Sequence, residues 1–334
     1  FVIDKNVKFQ DIIGYLIAHL KVQAENQLEG SIDSVVMGRP VHFNDHDSAK
    51  DHEAEELLKT IAQNQGFKNV EFQFEPIAAA LAYEQKSVTK ETLALVADIG
   101  GGTSDFSVIK LGSNNFDRKQ DILANAGIHI GGTDFDRKIS VKEVMPFFGA
   151  NSEIKDMSGK SLKVPKAFFS DMATWHRINS LYCDEVKESI AGYIKNAPNS
   201  ASLGRFQTLI EYEFGHLLNT RIEQQKQILS SKTQSVLDLG FIEKGLTLPL
   251  LQEKSNEAIL EEITKLSNIT NEILMQAGVA ASDIDVIFFT GGSTKIPILR
   301  EYIFNNIPKA EVVEGDAFGS VGYGLAVDAE KRFR

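Results

Sequence analysis

Cysteine is nearly absent from this chain of 334 residues, and Cys183 stands alone. No disulfide can form within the chain and no cysteine-rich metal site can be built. Both facts suit a reducing, cytoplasmic compartment. Cys183 has no histidine close to it in sequence, so it reads as a small buried residue and not as a nucleophile. Long apolar runs are missing too. None reaches the ~18 residues that a membrane-spanning helix needs, and no contact with a membrane is expected. No secretory leader is visible. Basic residues are outnumbered 46 to 35, which leaves a net charge of −11. So acidic a chain repels a phosphate backbone, and nucleic acid is not expected as a partner. A nucleotide stays compatible, because backbone amides and a metal ion can hold one. Neither a G-x-x-x-x-G-K-[ST] loop nor a G-x-G-x-x-G fingerprint occurs, which argues against a P-loop NTPase and a Rossmann dehydrogenase. The chain opens with Phe1, not methionine, so its natural N-terminus is expected further upstream.

Apolar residues make up 43% of the chain, ample for a sizeable core. At ~100–200 residues per domain the length predicts two domains. Ile12, Ile13, Leu16, Ile17 and Leu20 recur at helical spacing. A strand is predicted over Ser34–Met37, then a helix over Ala49–Gln65. That helix opens with a Ser48/Asp51 capping box and stops at Gly66. Val70–Phe74 reads as a strand and Pro76 as the first turn of an alanine-rich helix. This alternation is an α/β pattern. Strands over Leu93–Ala97, Phe106–Leu111 and Gln120–Ile130 then follow, joined by glycines in antiparallel style. The stretch from about Asp136 to Gly278 reads as mainly helical. A buried strand over Val286–Thr290 and a helix near Val321–Lys331 close the chain.

The strongest local signal is Asp98 followed by Gly100, Gly101, Gly102 and Thr103 between two strands. Glycine lets the backbone turn tightly and bring its N–H groups against an oxygen-rich ligand. Asp98 would face a hydrated Mg²⁺, and Thr103 offers a hydroxyl to a phosphate. A plain glycine hairpin is the bland alternative. Gly291-Gly292 follows a buried strand and precedes a helix, and Gly131-Gly132 follows another strand. Glycine turns at several strand ends predict one ligand cleft there. His42, His46 and His52 lie among Asp45, Asp47 and Asp51, but the spacing suits no familiar metal site, and a solvated loop entering a helix is the better reading.

The segment from Ala97 to Asp105 resembles the second phosphate loop of the seventy-kilodalton heat-shock chaperones. Phe74 to Tyr83 resembles their connecting helix. Gly131-Gly132-Thr133-Asp134-Phe135-Asp136 resembles their glycine turn, and Phe289 to Pro297 their adenosine motif. Pro40 to Asp45 is similar to a sixth-strand motif of the same family. The resemblance implies an actin-like ATPase fold of duplicated ribonuclease-H-like lobes, with the first lobe incomplete. Residues 1–85 would be the partial first lobe. Residues 86–135 and 280–334 would form the second lobe's core, and 136–279 its enlarged helical cap. A short, YegD-type branch without a peptide-binding domain is implied. The cofactors implied are ATP or ADP and Mg²⁺. Asp98 and Glu75 would hold the metal through water, with Asp98, Glu75 and Thr103 serving catalysis. Gly100, Gly101 and Gly102 would hold phosphates. Gly131, Gly132, Glu223, Lys226, Ser230, Gly291, Gly292, Ser293 and Lys295 would line the rest of the nucleotide. On residue spacing alone, Glu223, Lys226 and Ser230 are an ordinary solvated helix face.

Departures from the family pattern also matter. Gln227 stands where the family stacks an arginine on adenine. Phe318 stands where an aspartate is expected, with Asp316 out of register. The family's first phosphate loop and catalytic lysine should precede Phe1. A cleft with one phosphate loop has half its clamp, since phosphoryl transfer rests on positioning and electrostatics. This chain is therefore expected to hydrolyse ATP no faster than a variant lacking Asp98, although the family implies an ATPase. The apolar faces at Ile12–Leu20 and Leu57–Ile61 are expected to be partly uncovered. A monomer is expected, with a protein or peptide client or a co-chaperone as partner. Two rival readings are an actin-fold small-molecule kinase and a non-catalytic interaction protein that docks through the insert between Phe147 and Thr220. The insert's Phe168, Phe169, Trp175 and Tyr182 are expected to pack its own core.

Overall fold

The computed structural model describes residues 7–44, 47–87, 91–112, 118–155, 159–197, 201–313 and 319–333. Its first segment alternates helix and strand: α1 (Phe9–Leu28), β1 (Ser34–Arg39), α2 (Ser48–Asn64), β2 (Asn69–Phe74) and α3 (Glu75–Ser87). β1 and β2 pair in parallel, Ser34 opposite Asn69 through Arg39 opposite Phe74. Asp47 caps α2, accepting from the amides of Ala49 and Lys50. The capping residue is thus one position earlier than expected. Asp51 is used elsewhere, on the Arg39 guanidinium, which Glu55 also binds.

A meander follows, β3 (Thr92–Ile99), β4 (Ser104–Leu111) and β5 (Ile122–Ile128), and the chain enters α4 (Gly132–Ile139). The cap then runs through β6 (Glu153–Lys155), β7 (Ser161–Lys163), α5 (Lys166–Met172), α6 (Asp184–Asn196), α7 (Ala201–Glu211), α8 (Gly215–Leu229), β8 (Gln234–Asp238), β9 (Thr247–Leu251) and α9 (Gln252–Ala277). β10 (Val286–Thr290), α10 (Pro297–Phe304), β11 (Glu311–Val313) and α11 (Ser320–Phe333) complete it. The cap is not helical throughout, as it carries the antiparallel hairpins β6–β7 and β8–β9.

One sheet organises the larger part, in the order β11-β10-β3-β4-β5. β10 is parallel to β3, while β3, β4 and β5 are antiparallel neighbours. Its central strand shows how alternation covers both faces. Leu95, Ala97 and Ile99 pack toward the cap with Phe106, Phe135 and Phe148. Ala94 and Val96 face the other way, against Ile77 and Leu81 of α3 and Val327 of α11. α3 and α11 cross so closely that a Cβ on Gly324 would lie 1.8 Å from the Ala78 carbonyl oxygen. The sheet is mixed and covered on both faces, an α/β architecture as expected.

The first segment is different. Its own cluster of fully buried apolar residues is Ala62, Phe67 and Val70. Tyr15, Leu16 and Leu20 of α1 stay 58–68% exposed, as the uncovered face predicted.

Candidate functional site

Strand pairing sets the site. In the parallel β3–β10 register Thr290 lies beside Asp98, so the turns after these strands leave from adjacent ends of the sheet. Gly291 adopts φ +82°, and a Cβ there would lie 2.4 Å from the Ile99 carbonyl oxygen and 2.7 Å from Asp98 Oδ1. Only glycine serves, both for the left-handed backbone and for the closeness. The third turn joins them. A Cβ on Gly131 would lie 2.6 Å from the Gly101 carbonyl. The Gly100 carbonyl accepts from the Gly132 amide at 3.0 Å and the Ser293 hydroxyl at 2.9 Å. The Gly101 carbonyl accepts from the Thr133 amide at 2.7 Å and its hydroxyl at 2.8 Å. The glycine turns of three separate segments are thus laced by their carbonyls. Gly101, Gly102 and Thr103 are exposed. Among the described residues their amide N–H groups have no acceptor. A run of unspent backbone donors is the arrangement from which anion-binding concavities are built.

Carboxylates gather beside it. A narrow cavity of about 20 Å³ is lined by Glu75, Asp98, Asp105, Asn125 and Thr290, with Pro40 and Val41 closing it from the first segment. That space is large enough for a single water. Burial raises the pKa of Asp98, opposed by a hydrogen bond from Thr290. Burial raises Glu75 as well, and the charges of Asp98 and Asp105 push it further up. Partly buried carboxylates that crowd one another call for a cation or shared protons.

The cap closes the other side. From α8, Lys226 Nζ donates at 2.8 Å both to the Gly132 carbonyl and to Asp136 Oδ2. Ser230, one turn on, lines a small cavity with Lys226 and Ile296. Glu223, one turn before Lys226, lies near enough to Asp136 to repel it. It borders an open cavity of about 590 Å³ with Asp136, Arg137, Asn219 and the exposed Trp175. Lys295 is exposed just past the Ser293 turn.

Three residues without an assigned role at this site now have positions in it. Asp105 pairs directly across the antiparallel ladder from Asp98, and counting outward symmetrically from the glycine turn would have found it. Thr290 is the last residue of β10. Asp136 is four residues past Gly132, on the same face of α4. Cys183 departs from expectation, being exposed, with its thiol directed at the Ser180 carbonyl. Trp175 also departs, at 55% exposed, whereas Phe169 is buried and Phe168 and Tyr182 pack against the core. The departure at Phe318 and Asp316, and the residues Asp45 and His46, lie outside the described residues.

A comparison with protein-family models bears on the whole arrangement. The model described as Hsp70 protein matches residues 2–166 and 213–330. The match spans every turn described above and leaves out most of α5 and all of α6 and α7.

Proposed function

The chain belongs to the Hsp70 family, and from that premise we propose that it holds Mg-ATP or Mg-ADP at the laced glycine turns as the nucleotide-binding part of a chaperone-type module. One observation carries the reading: unspent amides at Gly101, Gly102 and Thr103 sit next to the partly buried carboxylate of Asp98. The phosphates would lie on those amides. Ribose and base would lie toward Lys226, Ser230, Ser293 and Lys295, with Gly131, Gly132, Gly291 and Gly292 allowing close approach. The repulsion of Glu75 by Asp98 and Asp105 fits a divalent cation, which these carboxylates would hold through water. When bound, that cation would neutralise charge on the β- and γ-phosphates. Asp98 and Thr103 would then orient water and phosphate.

We divide the chain accordingly. Residues 1–85 belong to one lobe. Residues 86–135 and 280–334 form the core of the other, and 136–279 its cap. Nucleotide-dependent closure between the lobes would be the output. Clients and co-chaperones are partners by family.

Isothermal titration of the chain with ADP, with and without Mg²⁺, tests the reading. Saturable binding that Asp98→Asn uncouples from Mg²⁺ is expected. ATP turnover should be no faster in the chain than in Asp98→Ala. No ADP binding at any Mg²⁺ concentration would refute the assignment.

A further inference from the structure

An ammonium group carries three N–H donors. Lys226 spends one on the Gly132 carbonyl and one on Asp136 Oδ2. Among the described residues the third has no partner. The group lies directly over the glycine turn, since a Cβ on Gly132 would be 3.2 Å from Lys226 Nζ and 2.7 Å from Ser293 Oγ. Two fixed legs determine where the third points. Without Asp136, a four-carbon stem would let the ammonium swing.

We infer that Asp136 is a positioning residue for nucleotide, holding Lys226 so that its remaining N–H meets the ribose hydroxyls. This rests on the nucleotide reading above. Asp136 is suited to the task. It is largely buried at 17% side-chain exposure, and Lys226 is its ion-pair partner. Its Oδ1 is buried with no hydrogen-bond partner. Burial raises its pKa to about 6, against the pull of Lys226. Protonation would release Lys226, so affinity falls as pH drops through that value. Other charges face this place. Glu223 of α8 repels Asp136. Asp134, Arg137, His176 and Arg177 line the adjoining cavity. On the far side of α4, Lys138 is occupied by Glu261 and Glu262 of α9.

The test is titration of a fluorescent ADP, in EDTA so that Glu75 and Asp98 bind no metal, between pH 5.5 and 7.5. Wild type should lose roughly threefold in affinity on acidification, since a group titrating at about 6 is still partly ionised at pH 5.5. D136N should be weaker by roughly tenfold at pH 7.5 and nearly flat with pH. H176Q should keep the wild-type profile. K226A should be as weak as the D136N/K226A double variant, because Asp136 acts through Lys226. Wild-type affinity in D136N, a steep profile in D136N, a flat profile in H176Q or a double variant weaker than K226A would overturn the inference alone. Failure of wild type to bind ADP would overturn it together with the reading beneath it.

Discussion

The five-stranded sheet and the two-stranded sheet of this molecule use the same kind of element to opposite effect. β3 is buried on both faces, between the cap on one side and α3 with α11 on the other. β1 and β2 have α2 and α3 nearby but only a three-residue cluster of their own, and α1 leaves large apolar side chains in water. A two-stranded sheet is marginal by itself. The lesson is one of division. The glycine turns and Asp98 stand on the rigid sheet, whereas Pro40, Val41 and Glu75 reach the same cavity from the less covered part.

The largest expected effect separates the two cores. Phe106→Ala removes a fully buried ring from β4 and should cost ~3–5 kcal/mol in urea unfolding. Leu16→Ala on α1, 59% exposed, should stay within about 0.5 kcal/mol. Equal losses would show that the exposed face of α1 is covered in solution. Next come two left-handed glycines. Gly66→Ala meets nothing nearer than the Lys21 side chain at 3.8 Å and should cost ~1 kcal/mol. Gly291→Ala adds a clash with the Ile99 carbonyl to the same strain. It should cost ~3 kcal/mol or more and abolish ADP binding. Similar values for the pair would mean that the turn can open.

Acid should then sharpen the contrast by a smaller amount. In the larger part Asp98, Asp136 and Glu143 are all raised, chiefly by burial, and from the first segment only Glu75, at the shared cavity, joins them. For Asp136 the native value is about 6 against 3.8. Its contribution is complete below the lower value and is lost as pH rises through the upper. The larger part should therefore gain stability from pH 7 to 5. The first segment should not. Burial raises Asp51, but hydrogen bonds from Arg39 and the Phe43 amide outweigh it and leave its pKa lowered. Glu25 is lowered by hydrogen bonds from Lys21 and the Ile32 amide. Such groups lose stability on acidification. Hydrogen exchange at pH 7 and 5, corrected for intrinsic rates, should show β3 and β4 becoming slower at the lower pH while α1 and α2 stay unchanged, because their lowered carboxylates begin to lose stability only below 4.5. A uniform shift in both would break the contrast.

Much of this was legible beforehand because burial on both faces writes long apolar runs. β10 coincides with the run Val286–Thr290, and β3 extends the run Leu93–Ala97 by a few residues. The hairpins β6–β7 and β8–β9 were not legible. The first has strands of three residues, all exposed but Ile154, too short to display a period. β11 is equally short, and only its pairing with β10 defines it. At the site, the glycine turns announced themselves, since few other residues could stand there. Asp105 and Asp136 did not. One depends on ladder register and the other on a lysine ninety residues away. Trp175 stands exposed at the first residue of a short 3-10 helix, beside an open cavity and with His216 as its aromatic neighbour.

Where Gly324 meets Ala78, two main chains touch with no side chain between them. A methyl group at 324 would act as a wedge under α3. Glu75 sits at that helix's first residue, so the wedge would shift a carboxylate relative to Asp98 from a point that contacts neither. A packing residue in the last helix thereby sets the bore of the acidic cavity.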